Sequence, residues 1–181
     1  SQQLFTNSRG VIVRGSLFKR IGFYSEIYDN QTRQARFVQN RFIDFEHLYG
    51  ETAIKLNGSK STFDYFHARG YLTYRPVDAV RIKFGHDKAF MGQGFQSLLF
   101  SDYTANHLML QIQTRIWKLE YTNYFAQLVD YIHNKPDGLG PHPRKYLAMH
   151  LLSYKPNSWL SLGVFESVVY GSTLPSGPRG F

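Results

Sequence analysis

The sequence predicts an all-β fold, an antiparallel transmembrane β-barrel, and three observations lead to that prediction. Apolar and polar residues alternate strictly along extended runs, most clearly over residues 107–128. These runs are about ten residues long, enough to cross a bilayer at a tilt, whereas strands of soluble domains average about five or six. Short turns and long connections also alternate along the chain, as they do in outer-membrane barrels. We expect about eight strands in four hairpins, forming the N-terminal part of a larger barrel.

The hairpin at 107–128 sets the pattern for the other three. Leu108, Leu110 and Ile112 fall on one face of its first strand, while Gln111 and Gln113 fall on the other. The chain then reverses and a second alternating run follows. An amphipathic hairpin of a soluble β-sandwich would show the same alternation, and this hairpin alone leaves that alternative open.

The other hairpins repeat this arrangement. They are predicted at residues 10–28, 63–85 and 145–170, with short turns near residues 19, 77, 117 and 157. Long connections occupy 29–62, 85–106 and 129–144, and the chain 1–181 is interpreted as a single barrel domain with these loops on the extracellular side. A soluble sandwich has no reason to separate short from long connections in this way.

Large aromatic residues accompany the predicted turns and strand ends. Amphipathic rings collect where a membrane protein meets the interface. The candidates for a membrane-interface girdle are Tyr74, Trp117, Tyr121, Tyr154 and Trp159.

The composition excludes several classes of function. The formal net charge is +8, but the basic residues are dispersed over turns and loops, so nucleic acid is not expected as a partner. The 181 residues include no cysteine, which excludes disulfides and thiolate sites. No run of 18 apolar residues occurs, so a membrane-spanning helix is not predicted.

Charged and imidazole side chains fall on the polar face of the predicted strands, where they would line a lumen. They can form a lattice of salt bridges that stiffens the wall, or a basic lining for an anionic sugar or small solute. The candidate lumen or ligand-binding residues are His67, Arg69, Arg81, Lys83, His86, Asp87, Arg115, Glu120 and Glu166.

The segment Gly85-His-Asp-Lys88 is the densest polar cluster, yet no cofactor, metal or catalytic residue is predicted from it. It lacks the Gly-Lys-Ser/Thr of a phosphate-binding loop, and adjacent residues of an extended segment point apart rather than towards one metal. A hydrolase in the barrel wall is a less favoured alternative, because no Gly-x-Ser-x-Gly is present. Its members would be drawn from Ser97 or Ser101, His86 or His150, and Asp87 or Asp102.

Several motifs carry a resemblance to a known family. They are Asn7-Ser-Arg-Gly10, Phe63-Asp-Tyr-Phe-His-Ala-Arg-Gly-Tyr71, Phe84-Gly-His-Asp-Lys88, Gly92-Gln-Gly-Phe-Gln-Ser-Leu98, Leu99-Phe-Ser-Asp102, Trp117-Lys-Leu-Glu-Tyr-Thr-Asn123, Pro143-Arg-Lys-Tyr146 and Leu162-Gly-Val-Phe-Glu-Ser-Val168. In combination they resemble barrel proteins of Bacteroidota related to the capsule-assembly protein Wzi and the gliding-motility protein RemB. The resemblance covers nearly the whole chain and implies an outer-membrane barrel associated with surface polysaccharide or with gliding and secretion machinery.

These observations predict a non-enzymatic protein of the bacterial outer membrane that anchors or assembles a cell-surface structure. The structure would be a polysaccharide or capsule, or gliding and type IX secretion machinery. The expected partners are membrane lipid and lipopolysaccharide, surface polysaccharide, and other outer-membrane or periplasmic proteins of a larger complex. A porin-like channel with a basic lumen is the alternative.

Overall fold

The protein is built almost wholly from β-strands. The computed structural model describes residues 3–45, 50, 54–56, 62–92, 95, 97–129, 144–171, 173–174 and 177–178. Its elements are β1 (Phe5–Leu17), β2 (Ile21–Arg33), α1 (Arg36–Phe45), β3 (Ile54–Leu56), β4 (Phe63–Val77), β5 (Val80–Asp87), β6 (His107–Ile116), β7 (Leu119–Val129), β8 (Arg144–Asn157), β9 (Leu160–Gly171), β10 (Thr173–Leu174) and β11 (Gly177–Pro178).

Eight of these strands form one antiparallel meander. Their order is β1-β2-β4-β5-β6-β7-β8-β9, with the short β3 paired to β4, while β10 and β11 pair only with each other. The predicted all-β fold, with about eight strands in four consecutive hairpins, is therefore confirmed. The sheet is not closed among these residues, because β1 and β9 stand at the two ends of the order.

The main strands are long and their hairpin turns are short. β4 has 15 residues and β8 has 14, compared with about five or six for an average strand of a soluble protein. The four hairpin turns are 18–20, 78–79, 117–118 and 158–159. Three non-glycine residues of these turns, Phe18, Lys19 and Trp117, adopt positive φ, a conformation that glycine adopts more readily.

The connection predicted at 29–62 contains more regular structure than expected. β2 continues to Arg33 and is followed by α1, which has ten residues. The polar residues Asn30 and Thr32 extend the alternation with their side chains buried, so a hydrophobic pattern could not reveal this part of the strand. In the part of the chain that the structure describes, no helix is both long and apolar enough to cross a bilayer.

The predicted connection at 85–106 also contains some regular structure, whereas most of the one at 129–144 cannot be compared. In 85–106, β5 continues to Asp87, and Met91 then forms an isolated antiparallel bridge with Phe100. The Met91 amide donates to the Phe100 carbonyl at 2.8 Å. Of the connection predicted at 129–144, residues 130–143 lie outside the described residues.

The chain divides into two compact units. Unit 1 comprises residues 1–14, 24–70 and 87–106, and unit 2 comprises 15–23, 71–86 and 107–181. The buried side chains of unit 1 are mostly polar or charged: Glu26, Asn30, Thr32, Gln39, Thr62, Asp87 and Asn106, with Phe63 and Met91. Those of unit 2 are His107, Met109, Thr122, Tyr124, Ala126, Leu147 and Met149.

The strand register in unit 2 sorts side chains onto two faces. Gln113 pairs with Thr122 and Thr122 with Leu151, which defines an inner face that also carries the buried residues. Leu110 pairs with Phe125, which lies on the opposite, outer face. The outer positions are Leu108, Leu110, Ile112, Thr114 and Ile116; Leu119, Tyr121, Asn123, Phe125 and Gln127; Tyr146, Ala148, His150, Leu152 and Tyr154; and Leu162, Val164, Glu166, Val168 and Tyr170.

Backbone hydrogen bonds join neighbouring hairpins at the short-turn end of unit 2. The Arg75 amide donates to the Arg20 carbonyl at 2.8 Å, and the Arg115 amide donates to the Ala79 carbonyl at 2.7 Å. The Lys155 amide likewise donates to the Lys118 carbonyl at 3.0 Å. These hydrogen bonds hold the turns together at one end of the strands.

Candidate functional site

A polar groove lies on the inner face of unit 2, across three neighbouring strands. Its lining residues are Tyr71 and Thr73 from β4, Arg81 and Lys83 from β5, and Gln111 and Gln113 from β6. Each strand contributes alternate residues, because side chains two apart in a strand share a face. The groove has a volume of about 300 Å³ and contains cationic, amide and hydroxyl groups.

The two basic residues of the groove have different surroundings. The Lys83 Nζ atom lies 4.0 Å from the centroid of the Tyr71 ring, a cation–π contact that fixes the end of the lysine chain. Arg81 is exposed and forms no ion pair with any described residue. Its guanidinium therefore offers donors that can bind a carboxylate or sulfate in two places at once.

An ion pair lies beside the groove at the end of β6 and β7. Arg115 Nε donates to Glu120 Oε2 at 2.8 Å, and Gln113 Nε2 donates to Glu120 Oε1 at 2.7 Å. The Arg115 side chain is 67% exposed. Since both oxygens of Glu120 are occupied, this acid is committed to its neighbours rather than to a ligand in the groove.

Unit 1 holds a second, buried cluster of charged residues. Glu26 on β2 contacts both His67 and Arg69 on β4, with 3.3 Å between Glu26 Oε1 and His67 Nε2. Arg69 also reaches Asp87 on β5, with 3.5 Å between Arg69 Nη1 and Asp87 Oδ1. The Tyr24 hydroxyl donates to Glu26, and the Arg69 guanidinium lies over the Tyr24 ring at 5.4 Å. Glu26 and Asp87 are buried, and the charge of Arg69 compensates their negative charges.

The structure therefore separates the nine residues that the sequence singled out as lumen or ligand candidates. His67, Arg69 and Asp87 belong to the buried cluster of unit 1. Arg81, Lys83, Arg115 and Glu120 lie in or beside the groove of unit 2.

The two remaining candidates join neither group. Glu166 pairs with His150 on the outer face, whereas Glu120 pairs with Ser153 on the inner one. The sequence could not show this, because the alternation of β9 is obscured by apolar residues on both of its faces. His86 is exposed, and its side chain points away from that of the adjacent Asp87, as in any extended strand.

The candidate interface aromatics lie at the short-turn end of unit 2. Trp117 is 73% exposed and Trp159 is 79% exposed, and the Trp117 and Tyr154 ring centroids are 6.1 Å apart. Tyr74 and Tyr121 are also exposed. The unpredicted Phe18, at the first short turn, is the most exposed aromatic of this end.

The serines considered for a hydrolase bond only to backbone atoms among the described residues. Ser97 Oγ donates to the Met91 carbonyl and accepts a hydrogen bond from the Leu99 amide at 3.1 Å. Ser101 Oγ accepts from the Tyr103 amide at 3.2 Å. Among the described residues, neither hydroxyl is hydrogen-bonded to an imidazole, as a nucleophilic serine would be. Within the described ranges, no three His, Cys, Asp or Glu side chains are grouped so as to hold a metal ion.

Sequence reasoning missed Tyr71, Thr73, Gln111 and Gln113 as members of the site. The alternation places them on the polar face, but uncharged polar residues there are as typical of a wall as of a binding surface. Only the lateral order β4-β5-β6 brings them beside Arg81 and Lys83. Comparison with protein-family models, curated proteins and solved structures finds no match to this chain.

Proposed function

We propose that this chain forms part of an outer-membrane β-barrel that holds an anionic surface polysaccharide at its basic groove. The observation that carries the proposal is the distribution of polarity in unit 2. Its outer face is mostly apolar and carries many exposed side chains, while its inner face carries the polar groove. A soluble protein buries its apolar face, whereas a transmembrane barrel exposes that face to lipid.

The outer face supports lipid contact. Leu108 is 43% exposed and Val164 is 74% exposed, and no second layer covers them among the described residues. Large exposed apolar patches are rare on soluble monomers and mark contact with membranes or partners. The exposed tryptophans at the short turns fit the aromatic belt at a membrane interface.

The polar character of the buried side chains also supports the proposal. Nine polar or charged residues and seven apolar ones are buried among the described residues. Such an interior is expensive for a small soluble domain, whose stability depends mainly on apolar burial. It is ordinary inside a barrel, because lipid on the outside replaces the apolar core.

The chemistry of the groove suits an acidic sugar. Arg81 supplies a planar donor for a carboxylate, and Gln111 supplies an amide for neighbouring hydroxyls. The Tyr71 ring lies under Lys83 and holds this second cation in the groove, where it can meet an acidic group. The wider role follows the resemblance to barrels of capsule assembly and gliding machinery: the protein anchors or assembles a surface polysaccharide together with other envelope proteins.

The lipid-facing surface is tested by labelling two adjacent positions. The chain has no cysteine, so Leu110→Cys and Gln111→Cys each introduce one attachment point, on the outer and inner face respectively. After refolding into phosphatidylcholine vesicles that contain brominated lipid, a fluorophore at position 110 is expected to be quenched strongly and one at 111 weakly. Equal quenching at both positions contradicts a lipid-facing outer side.

Glycan binding is tested with polygalacturonate oligosaccharides on the vesicle-inserted protein. Calorimetry should detect binding of the acidic oligosaccharide and no binding of neutral dextran of the same length. Binding of both sugars to the same degree contradicts recognition of charge. Absence of binding to either contradicts the assignment of the groove.

A second candidate function is an anion-selective channel, favoured by the exposed Arg81 without an ion pair to any described residue. Conductance across a planar bilayer, with selectivity for chloride that Arg81→Glu reduces, would support the channel. A silent protein that binds the acidic oligosaccharide would support the anchor.

A further inference from the structure

A row of three adjacent polar side chains crosses the outer face of unit 2. Asn123 on β7 pairs with His150 on β8, and His150 pairs with Glu166 on β9. Directly above and below the row on the same face lie apolar residues such as Leu152 and Val164. A run of adjacent polar groups on a mostly apolar surface marks a place where something other than lipid is bound.

The hydrogen bonds of His150 to described residues involve only one of its two ring nitrogens. Its Nδ1 lies 2.8 Å from Asn123 Oδ1 and 3.2 Å from the Tyr121 hydroxyl, and its ring stacks on that of Tyr121 at 6.2 Å. Because Asn123 Oδ1 is an acceptor, Nδ1 donates to it. Nε2 has no hydrogen bond to any described residue, and an imidazolium ring donates a hydrogen bond from each of its two nitrogens.

Glu166 stands beside this imidazole and has no partner in the described part of the chain. It is exposed and forms no hydrogen bond or ion pair with the residues that the structure describes. An ionised carboxylate in contact with acyl chains is unfavourable by roughly a few kcal/mol. If the outer face meets lipid, Glu166 is stable only where a proton donor is brought to it.

We propose that the row binds a second copy of this chain, packed face to face about a twofold axis along the membrane normal. This inference rests on the membrane location proposed above. His150 and Glu166 occupy directly paired positions, so they lie side by side on adjacent strands of the same face. A twofold axis between β8 and β9 then sets each copy's imidazole opposite the other copy's carboxylate.

Charge complementarity favours a second copy over other occupants. The row presents one donor and one acceptor side by side, and such a patch matches itself when rotated by 180°. A lipid phosphate would meet the carboxylate of Glu166, and a cationic partner would find no acceptor to pair with at an imidazolium of His150. Two reciprocal charge-assisted hydrogen bonds form only with another copy in this orientation.

Crosslinking in vesicles tests the contact. Val164→Cys places the only cysteine of the chain on the outer face, two residues from Glu166. A short bis-maleimide should join two copies of the inserted protein. Adding Glu166→Gln, or His150→Gln, should lower the dimer association constant at least about tenfold, the usual effect of losing charge-assisted hydrogen bonds.

A charge exchange and a matched control sharpen the test. The double variant His150→Glu with Glu166→His keeps a donor and an acceptor side by side and should restore the dimer. Glu120→Gln makes the same chemical change on the inner face and should leave crosslinking unchanged. If the exchanged variant does not insert, the test rests on the crosslinking yields of Glu166→Gln and Glu120→Gln, of which only the first should be reduced.

The outcomes separate this inference from the proposed function. Protein that inserts, shows lipid quenching at position 110 and remains monomeric overturns the inference and leaves the membrane location intact. A dimer that Glu166→Gln and His150→Gln both leave unchanged overturns it as well. A chain that does not insert overturns both.

Discussion

Unit 1 and unit 2 each place an arginine of the polar face beside other polar groups, but only one of the two arginines is paired. Arg69 in unit 1 contacts the buried carboxylates of Glu26 and Asp87. Arg81 in unit 2 is exposed and has no ion pair with any described residue. The two residues are of the same type, so the difference lies in their neighbours. An arginine that is paired with buried acids has a structural role, whereas an exposed arginine without an ion pair can bind a ligand.

The largest expected effect is that of Arg69→Met, which removes the cation between two buried acids. Leaving a buried charge uncompensated typically costs about 3–5 kcal/mol. The free energy of unfolding in urea, measured on the refolded protein, should fall by that amount.

Arg81→Met is the matched control, because it deletes the same group from an exposed site. It should change the free energy of unfolding by less than about 0.5 kcal/mol. If both variants lose the same free energy of unfolding, the ion pairs of Arg69 do not determine how much this residue contributes to stability.

The two arginines also show how far the sequence alone can predict this site. Alternation correctly places both of them on polar faces, because it depends only on the two-residue repeat of a strand. Which arginine meets a carboxylate depends on Glu26, a residue of another hairpin 43 positions from Arg69. No local pattern encodes a pairing at that distance.

The same reasoning explains the fold. The four hairpins were predictable because each is local, with turns of two or three residues. Glu166 was assigned to the lumen because β9 has apolar residues on both faces, and its position became clear only from the register with β8. The helix α1 is not among the predicted elements, although Val38, Phe42 and Phe45 recur at helical spacing, because the whole of 29–62 is interpreted as a connection.

The second effect concerns the groove. Here we expect a large loss of ligand affinity and only a small change in the free energy of unfolding. Arg81→Glu with Lys83→Glu replaces both cations of the groove with anions. Affinity for polygalacturonate oligosaccharides, measured by calorimetry, should fall by about a hundredfold, since each charge-assisted hydrogen bond contributes about 1.5–3 kcal/mol. The free energy of unfolding should change by less than about 1 kcal/mol. Unchanged affinity would contradict a binding role for unit 2.

The third effect compares a glycine from each unit. An alanine Cβ at Gly10 would lie 2.5 Å from the Ile27 carbonyl oxygen, a backbone atom that cannot move freely. At Gly163 the nearest atom, Leu151 Cδ1, would be 3.7 Å away. Gly10→Ala should therefore lower the free energy of unfolding by about 1–3 kcal/mol, and Gly163→Ala should leave it nearly unchanged. Similar losses at both would show that the close approach of β1 and β2 relaxes without cost.

The smallest effect comes from the exposed ion pair at the end of β6 and β7. Arg115 and Glu120 form the same type of guanidinium–carboxylate contact as Arg69 and Glu26, but the Arg115 side chain is 67% exposed and that of Arg69 is 34% exposed. Water screens the exposed pair, so Arg115→Ala should lower the free energy of unfolding by only about 0.2–1 kcal/mol. The loss should shrink further in about 1 M salt, where charges are screened within about 3 Å. A salt-independent loss as large as that of Arg69→Met would mean that burial of the acid does not control these contacts, and the contrast between the two units would fail with it.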